Sequence, residues 1–448
     1  MTAGRRLKLG VLLHGIGSAV AGWRHPDVPA DGAVDFELYR RWIRTAEKGR
    51  FDLLFITDTL HITANSTPQY LTQFEPIALL GALAAASSDI GLVGTVSTSY
   101  SEPYTVARQL ATIDHISGGR AGINIVTSAA AATARNFNRT EQEHPEHDTR
   151  YRIAAEYLDV IQGLWDSWED DALIRDKESG VFFDRARLHT LDHRGEFFSV
   201  RGPLNIERPP QGSPVIFQAG SSEAGRTFAT READGIFLGP QSLADAVAFT
   251  RDIRRRAAAA GRPDGLPVVF VGVTVFVAPT QQEAERRYQE VADLVSTDHA
   301  LRYLSLMFGQ HDFTGYDLDA PFPDLGGIGD DAFQAGSRRI RRRARENGWT
   351  LRQTALEMIT PRGEFIGTPE GITDRMQEWF EAGATDGFML MEAMPGGLTA
   401  FVDSVLPILQ ERGLARREYE GRTLRDHLGL PVPPNRFVKR DTVTDRGN

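Results

Sequence analysis

The amino-acid sequence predicts an α/β fold, a (β/α)8 TIM barrel with long insertions after strand 4 and after strand 7. Three observations lead there. Eight short apolar runs recur along the 448 residues, most of them followed by a stretch with helical periodicity or a capping signal. Eight strands close a barrel, whereas an open doubly wound sheet does not account for that number as well. Past the ends of these runs the residues turn polar or small: Thr57-Asp58, Thr95 to Ser97, Thr127, Ser221-Ser222 and Gly239. A barrel keeps its active site at that end of its strands.

Leu7 to Leu13 reads as the first strand. Phe36, Tyr39, Ile43 and Ala46 then fall at helical spacing, and Gly49 closes that helix. Asp52 to Thr57 is the second strand, Phe74 to Ala86 a helix, and Ile90 to Val96 the third strand. Ser101-Glu102-Pro103 opens a helix with a capping residue, an acid and a first-turn proline. Its buried face is read as Val106, Leu110, Ile113 and Ile116, and Gly118-Gly119 ends it. Ala121 to Val126 is the fourth strand.

The alternation breaks over about 127–213. That segment holds a polar, alanine-rich stretch, a long helix from Tyr151 to Trp165, and a hairpin with Phe197 and Phe198 on one arm and Pro203 to Ile206 near the other. Order resumes with Pro214 to Gln218, Gly235 to Leu238, and a helix capped by Ser242 with Asp245 three residues on. Val268 to Val277 reads as one uninterrupted strand. A second interruption, 299–365, carries Phe308, His311, Phe313, Tyr316 and Phe322. These aromatics fit either an apolar portion of a substrate or the packing of a lid. A helix from Thr368-Pro369-Glu370 to Gly383 leads into the last strand, Asp386 to Met391. Residues 1–414 therefore read as a single barrel domain. Residues 415–448 read as an extension too polar to add a core layer, expected at a subunit interface.

One stretch carries a binding signal of its own. In Pro214 to Arg226 (PVIFQAGSSEAGR) a buried strand turns at Ala219-Gly220, and one of Ser221 and Ser222 takes the N-cap of the following helix. Free backbone N–H groups, two hydroxyls and the positive helix end make a seat for a phosphate.

Composition narrows the chemistry. A net charge of -10, with the basic residues read as dispersed, argues against a nucleic-acid partner. Without cysteine there are no disulfides, thiolate metal sites or cysteine nucleophiles. No segment reaches the ~18 apolar residues of a membrane span, and the N-terminus lacks a secretory signal, so a cytoplasmic protein is expected. His14 is followed by Gly15 and Ile16, not by the His-x-His of a metal-dependent barrel hydrolase. Glu143, His144, Glu146 and His147 are separated by Pro145 and share no helical face, so no metal site is expected there. Neither a dinucleotide fingerprint, a P-loop nor a nucleophile elbow is present. Polar strand ends with a phosphate seat and no evident acid–base pair point to a cofactor that carries the reaction.

Family motifs accompany these features. They include Trp23-Arg24-His25-Pro26, Phe55-Ile56-Thr57-Asp58, Glu102-Pro103-Tyr104, Asp114-His115-Ile116-Ser117-Gly118-Gly119-Arg120 and Asn124-Ile125-Val126-Thr127-Ser128. Ala134-Arg135-Asn136-Phe137, His147 with Arg150-Tyr151, Arg201-Gly202-Pro203-Leu204 and Pro210-Gln211-Gly212 follow. Gln218-Ala219-Gly220-Ser221-Ser222, Gly315-Tyr316-Asp317-Leu318-Asp319, Gly367-Thr368-Pro369-Glu370 and Glu418-Tyr419-Glu420-Gly421-Arg422-Thr423-Leu424-Arg425 complete the set. Over nearly its whole length the chain resembles the flavin-dependent branch of bacterial-luciferase-like monooxygenases that includes nitrilotriacetate, dibenzothiophene-sulfone and long-chain-alkane monooxygenases.

The resemblance implies a two-component enzyme that takes FMNH2 from a separate NADH- or NADPH:flavin reductase. It implies O2 as co-substrate, oxygen transfer through a flavin peroxide to a small organic substrate, and frequent cleavage of a C–S or C–N bond. By position it places Asp58, Thr95 and Ser97 beside the flavin, His147 and Tyr151 reaching back from the first insertion, and Ser221 and Ser222 on the FMN phosphate. His14 and His311 are the catalytic candidates, the latter in an insertion that would exclude water as a lid. A homodimer or homotetramer is implied as well. A deazaflavin-dependent oxidoreductase on the same superfold and a non-catalytic flavin-binding protein are the alternatives; oxygen uptake separates them.

Overall fold

The structure, a computed structural model, describes residues 5–438 apart from 65, 240–241, 264, 330–333, 361 and 394–395. Eight parallel strands close into a barrel: β1 (Lys8–Leu12), β2 (Leu53–Ile56), β3 (Gly91–Ser97), β4 (Ala121–Val126), β5 (Val215–Gln218), β6 (Gly235–Leu238), β7 (Val268–Val273) and β8 (Gly387–Met391). Each pairs with its sequence neighbours, and β8 closes on β1 in the register Lys8↔Gly387 to Leu12↔Met391. Among the described residues, no helix is long and apolar enough to cross a membrane.

Because successive strand residues point to opposite faces, the apolar runs are sorted into two cores. Leu12, Leu53, Phe55, Val93, Val215, Phe217, Phe270 and Met389 fill the barrel. Val11, Leu54, Ile56, Leu92, Ile123, Ile216, Val271 and Phe388 face the surrounding helices. Both sets are buried, which is why the strands read as continuous apolar runs and not as alternating ones.

Several expected elements shift. The helix after β3 is Pro103–Ser117, and its N-cap is Glu102, since the Ser101 hydroxyl turns back to the Ser97 carbonyl. Ile116, expected on the buried face, is 55% exposed; the Gly118-Gly119 turn ends the helix before that side meets a neighbour. The long helix begins earlier, spanning His147–Trp165. The hairpin pairs His193–Arg194 with Ser199–Val200, so Phe197 and Phe198 lie in its turn and Pro203 to Ile206 lies beyond it. The single strand expected over Val268 to Val277 is two. The β7 ladder stops at Val273, opposite Leu390, and Phe276–Val277 leaves the barrel to pair with Ile366–Gly367.

That outward bridge pins both ends of the second insertion. Between its arms lie helices Gln281–Ala292, Thr297–Met307, Gln334–Asn347 and Leu351–Ile359. They bury their own core of Leu304, Phe308, Phe313, Leu325, Ile340 and Leu351. The aromatics of this insertion are thus mainly lid packing. Gln334–Asn347 also corrects the reading of dispersed basic residues, because it carries Arg338, Arg339, Arg341, Arg342, Arg343 and Arg345.

The C-terminal extension is not too polar for a core layer. Leu424, Leu428 and Leu430 close the floor of the chain's own barrel against Leu53, Val93, Val215 and Val268. Gly91 admits them, since a Cβ there would meet Leu424 Cδ1 at 2.3 Å. The intervening charges are paired inward: Arg425 with Asp234 at 3.0 Å, and Arg416 with Asp52. Leu424→Ala is expected to leave a cavity in this floor and cost about 2–4 kcal/mol, whereas Ile116→Ala should stay within about 0.5 kcal/mol of the parent. Urea unfolding of the two variants checks this; equal midpoints would remove the floor from the core.

Candidate active site

The C-terminal mouth of the barrel divides into two halves. Over β2 to β5 lies an arc of hydroxyls, amides and one carboxylate. Thr95 Oγ1 donates to the Ile56 carbonyl at 2.7 Å and accepts from Asn124 Nδ2 at 3.0 Å. Asn124 Oδ1 is buried and has no hydrogen-bond partner among the described residues. Ser97 accepts from the Ser128 hydroxyl at 2.7 Å, where Ser128 holds a φ of 44°, a strained turn of a kind found at functional sites. Asp58 follows β2, half-buried, accepting from Thr59 N–H and Gln73 Nε2 at 2.8 Å each. Burial raises its pKa to about 6, aided by the Glu75 charge and opposed by the two donors.

The far end of this arc is the turn after β5. Ser222 is the N-cap of helix Glu223–Glu232, accepting from Gly225 N–H at 3.1 Å, so Ser221 precedes the cap. His147 and Tyr151, one helical turn apart, come over this turn from the first insertion. His147 Nε2 lies 3.4 Å from Ser222 Oγ, and its ring meets Tyr151 at 5.2 Å. The backbone approaches closely: a Cβ on Gly220 would lie 2.6 Å from the Tyr151 hydroxyl and 2.3 Å from Gln218 Nε2, and one on Gly225 would lie 2.8 Å from that hydroxyl. Gln218 Oε1 is a second buried acceptor without a partner among the described residues. Arg226 donates to the Ser221 carbonyl at 3.0 Å and pairs with Asp252 at 3.1 Å, adding a cation to the helix start. The structure therefore brings His147, Tyr151, Ser221 and Ser222 together. This glycine-lined seat at a helix N-terminus, with orphaned amide acceptors on β4 and β5, fits a phosphate-bearing flavin.

The other half is a cavity of 720 Å³ between the lid and the ends of β1, β2, β6, β7 and β8. His14, Thr57, Phe237, Thr274 and Met391 line its barrel side, and Tyr70, Tyr303 and Arg339 are among the residues of its upper wall. His14 Nε2 is 3.4 Å from Thr57 Oγ1, and its ring meets Tyr70 edge-on at 5.6 Å. Burial lowers the His14 pKa to about 4, leaving the imidazole neutral at ordinary pH. Thr57 and His14 join the two halves.

His311 does not reach this cavity. It hydrogen-bonds Tyr316 at 3.0 Å and packs on Phe313, toward the outside of the lid, because the Gln310 turn (φ 68°) follows the end of helix Thr297–Met307. Glu143, His144 and His147 serve separate neighbours: Glu143 caps Thr140, and His144 meets the Tyr100 hydroxyl at 2.6 Å and Arg150 at 3.1 Å. No cluster of three metal-ligating side chains occurs among the described residues. Sequence reading missed Asn124, Gln218, Arg226 and Glu392. The last follows β8 directly, and burial raises its pKa to about 7. Asn124 and Gln218 lie in β4 and β5 within family motifs, and Arg226 lies in a first helical turn.

Comparison with known proteins agrees with this layout. The family described as luciferase-like monooxygenase matches residues 18–386. The chain is 45% identical over 438 residues to N-acetyl-S-(2-succino)cysteine monooxygenase of Bacillus subtilis (strain 168), covering 97% of this chain and 99% of that protein. It is 41% identical over 459 residues to nitrilotriacetate monooxygenase component A of Aminobacter aminovorans, covering 98% and 100%. A crystal structure of riboflavin lyase with modified FMN and riboflavin is similar at a TM-score of 0.83 and 32% identity, over 96% of this chain and 97% of that one.

The Asp58 environment yields a test with a definite sign. Its folded pKa of about 6 lies above the ordinary 3.8, so its contribution to stability is complete below pH 3.8 and is lost as pH rises through about 6. Asp58→Asn keeps an acceptor for Thr59 and Gln73 but never charges. It should match the parent Tm near pH 4 and exceed it near pH 8. A parent and variant that differ equally at both pH values would show that Asp58 is not held in this way.

Proposed function

The chain belongs to the luciferase-like monooxygenase family and is a flavin-dependent monooxygenase, and from that premise we propose that it takes reduced FMN from a separate NADH- or NADPH:flavin reductase. In this reading O2 is the co-substrate and one oxygen passes to a small organic molecule, with cleavage of a C–S or C–N bond. The observation that carries the reading is the seat at Gly220 to Ser222, where hydroxyls, a helix N-terminus and the His147–Tyr151 pair converge. Two relatives support its finer points: the riboflavin lyase structure holds a modified FMN, and the nitrilotriacetate monooxygenase relative is named as a component A.

Reduced FMN would supply the electrons and activate O2. The chain supplies the setting. Ser221, Ser222 and Tyr151 bind the phosphate by their hydroxyls and the helix start by its free N–H groups, with the His147 ring beside them. Thr95, Ser97 and Asn124 present a polar layer at the ends of β3 and β4 that orients the ring system. Asp58, with a pKa near neutrality, can hold or release a proton at its carboxylate on the flavin side. Neutral His14 can accept one at a ring nitrogen on the substrate side. The lid excludes water from the cavity between them. His311, placed outside, has no part in this account. A homodimer or homotetramer remains part of the proposal, although Leu424, Leu428 and Leu430 of the extension are already used by the chain's own barrel.

Ser221→Ala with Ser222→Gly removes both hydroxyls while glycine keeps an acceptable N-cap. FMN affinity should fall by about 1–3 kcal/mol, the scale of hydrogen bonds to a charged group. Fluorescence titration of the folded double variant checks this, and unchanged affinity would move the phosphate elsewhere.

The absence of a dinucleotide fingerprint gives a second expectation. The purified chain with FMN should not consume NADH at a useful rate until a flavin reductase is added. Rapid NADH oxidation without reductase would contradict the two-component reading.

A further inference from the structure

Among the described residues four arginines are buried: Arg120, Arg150, Arg208 and Arg425. Three of them use every guanidinium nitrogen. Arg425 reaches Asp234 and the Ser213 and Pro431 carbonyls, and Arg208 reaches Asp166, Asp170 and the Pro433 carbonyl. Arg120 donates five hydrogen bonds to carbonyls and to the Ser87 hydroxyl. Arg150 is the exception. It is 8% exposed, and both of its hydrogen bonds leave from Nη1, to His144 Nε2 at 3.1 Å and to the Pro145 carbonyl at 2.9 Å. Its Nε is buried without a hydrogen-bond partner, and among the described residues no carboxylate pairs with it.

The partners of Arg150 do not offset its charge. A guanidinium only donates, so His144 Nε2 accepts, and the proton of the neutral ring sits on Nδ1, facing the Tyr100 oxygen at 2.6 Å. Burial, and then the Arg150 charge, hold the His144 pKa below its ordinary value, which favours that neutral ring. Burial also lowers the Arg150 pKa, and the groups that act against this are the Tyr151 and Tyr100 phenols, not acids. A buried cation in this state is costly, and an anion brought to it removes the cost.

Tyr151 indicates where that anion sits. Arg150 precedes it in the first turn of helix His147–Trp165 and acts more strongly on its phenol than on that of Tyr100. The Tyr151 hydroxyl lies close over Gly220 and Gly225, at the Ser221–Ser222 turn. On that turn's own side the cations are already matched, Arg226 with Asp252, and Arg256 with Glu223 and Asp252. Hydroxyls and helix N–H groups there can hold a phosphate by hydrogen bonds, but the unmatched positive charge comes from the first insertion.

We propose that Arg150 binds the FMN phosphate, meeting its charge from the first insertion while Ser221 and Ser222 hold it from the turn after β5. His144 and Pro145 keep the guanidinium ordered beforehand, which limits the entropy lost on binding. The inference rests on the flavin reading of this seat and adds to it the source of the charge.

Equilibrium dialysis of the full chain against FMN and riboflavin, each oxidised and, under nitrogen, dithionite-reduced, tests it. Riboflavin carries the same ring system without the phosphate. The parent should hold FMN at least about 10-fold more tightly than riboflavin. R150Q should lose at least about 10-fold in FMN affinity and stay within about 2-fold for riboflavin, and R150K should recover part of the loss. Undiminished FMN affinity in folded R150Q would overturn the proposal, as would equal losses for the two flavins, which mark a structural role. If R150Q does not fold, S221A/S222G decides: with Arg150 in place it should still favour FMN over riboflavin by at least about 3-fold, and loss of that preference would overturn the proposal. A parent that binds neither flavin would overturn the flavin reading as well, whereas an unresponsive R150Q leaves that reading standing.

Discussion

Closure of eight parallel strands obliges every second residue to point into the barrel, and the placement of the site follows from that constraint. Inside, the lower positions are large and apolar, with Leu53, Val93, Phe217, Phe270 and Met389 packed together. Higher on β3 and β4 the same inward parity delivers Thr95 and Asn124, so the barrel changes from apolar filling to a hydrogen-bonded layer within a strand's length. Barrels keep an active site only at this end, and here the opposite end is sealed by Leu424, Leu428 and Leu430 from the C-terminal extension.

The two insertions then divide the open end. The first sends His147 and Tyr151 back over the turn after β5, where a helix start and glycine backbone favour an anionic group. The second leaves after β7 through the Phe276–Val277 bridge and roofs the remaining strands, enclosing a cavity whose upper wall is basic. Burial moves titratable groups toward neutrality at this end: Asp58 to about 6, Glu392 to about 7, and His14 down to about 4. Of these, His14 lines the cavity and Asp58 follows its wall residue Thr57; perturbed groups at one barrel mouth suit proton handling at a reactive centre.

Local signals made much of this legible. Strand limits agree to within a few residues, and Ser222, Ser242 and Thr368 cap helices where the sequence places caps. The turn motif points to Ser221 and Ser222, the family resemblance adds His147 and Tyr151, and the fold brings the four together. What stayed hidden depends on partners far along the chain. Arg425 is buried because Asp234, 191 positions away, pairs with it; composition alone made its segment look like surface. Val268 to Val277 has one apolar character throughout, and only the end of the β8 ladder breaks it in two. The family resemblance makes His311 a catalytic candidate, but it bonds Tyr316, packs on Phe313 and is not among the residues lining the cavity. The arginine-rich helix was in plain view, yet its meaning depends on the cavity beneath it.

The central claim is that the mouth holds a flavin phosphate on one side and the substrate on the other. A crystal structure with FMN tests this most directly. The account predicts phosphate oxygens within hydrogen-bond distance of Ser221, Ser222 and Tyr151, the ring system over Thr95 and Asn124, and the cavity under Arg339 left clear. A phosphate seated in the cavity under the lid instead would contradict it.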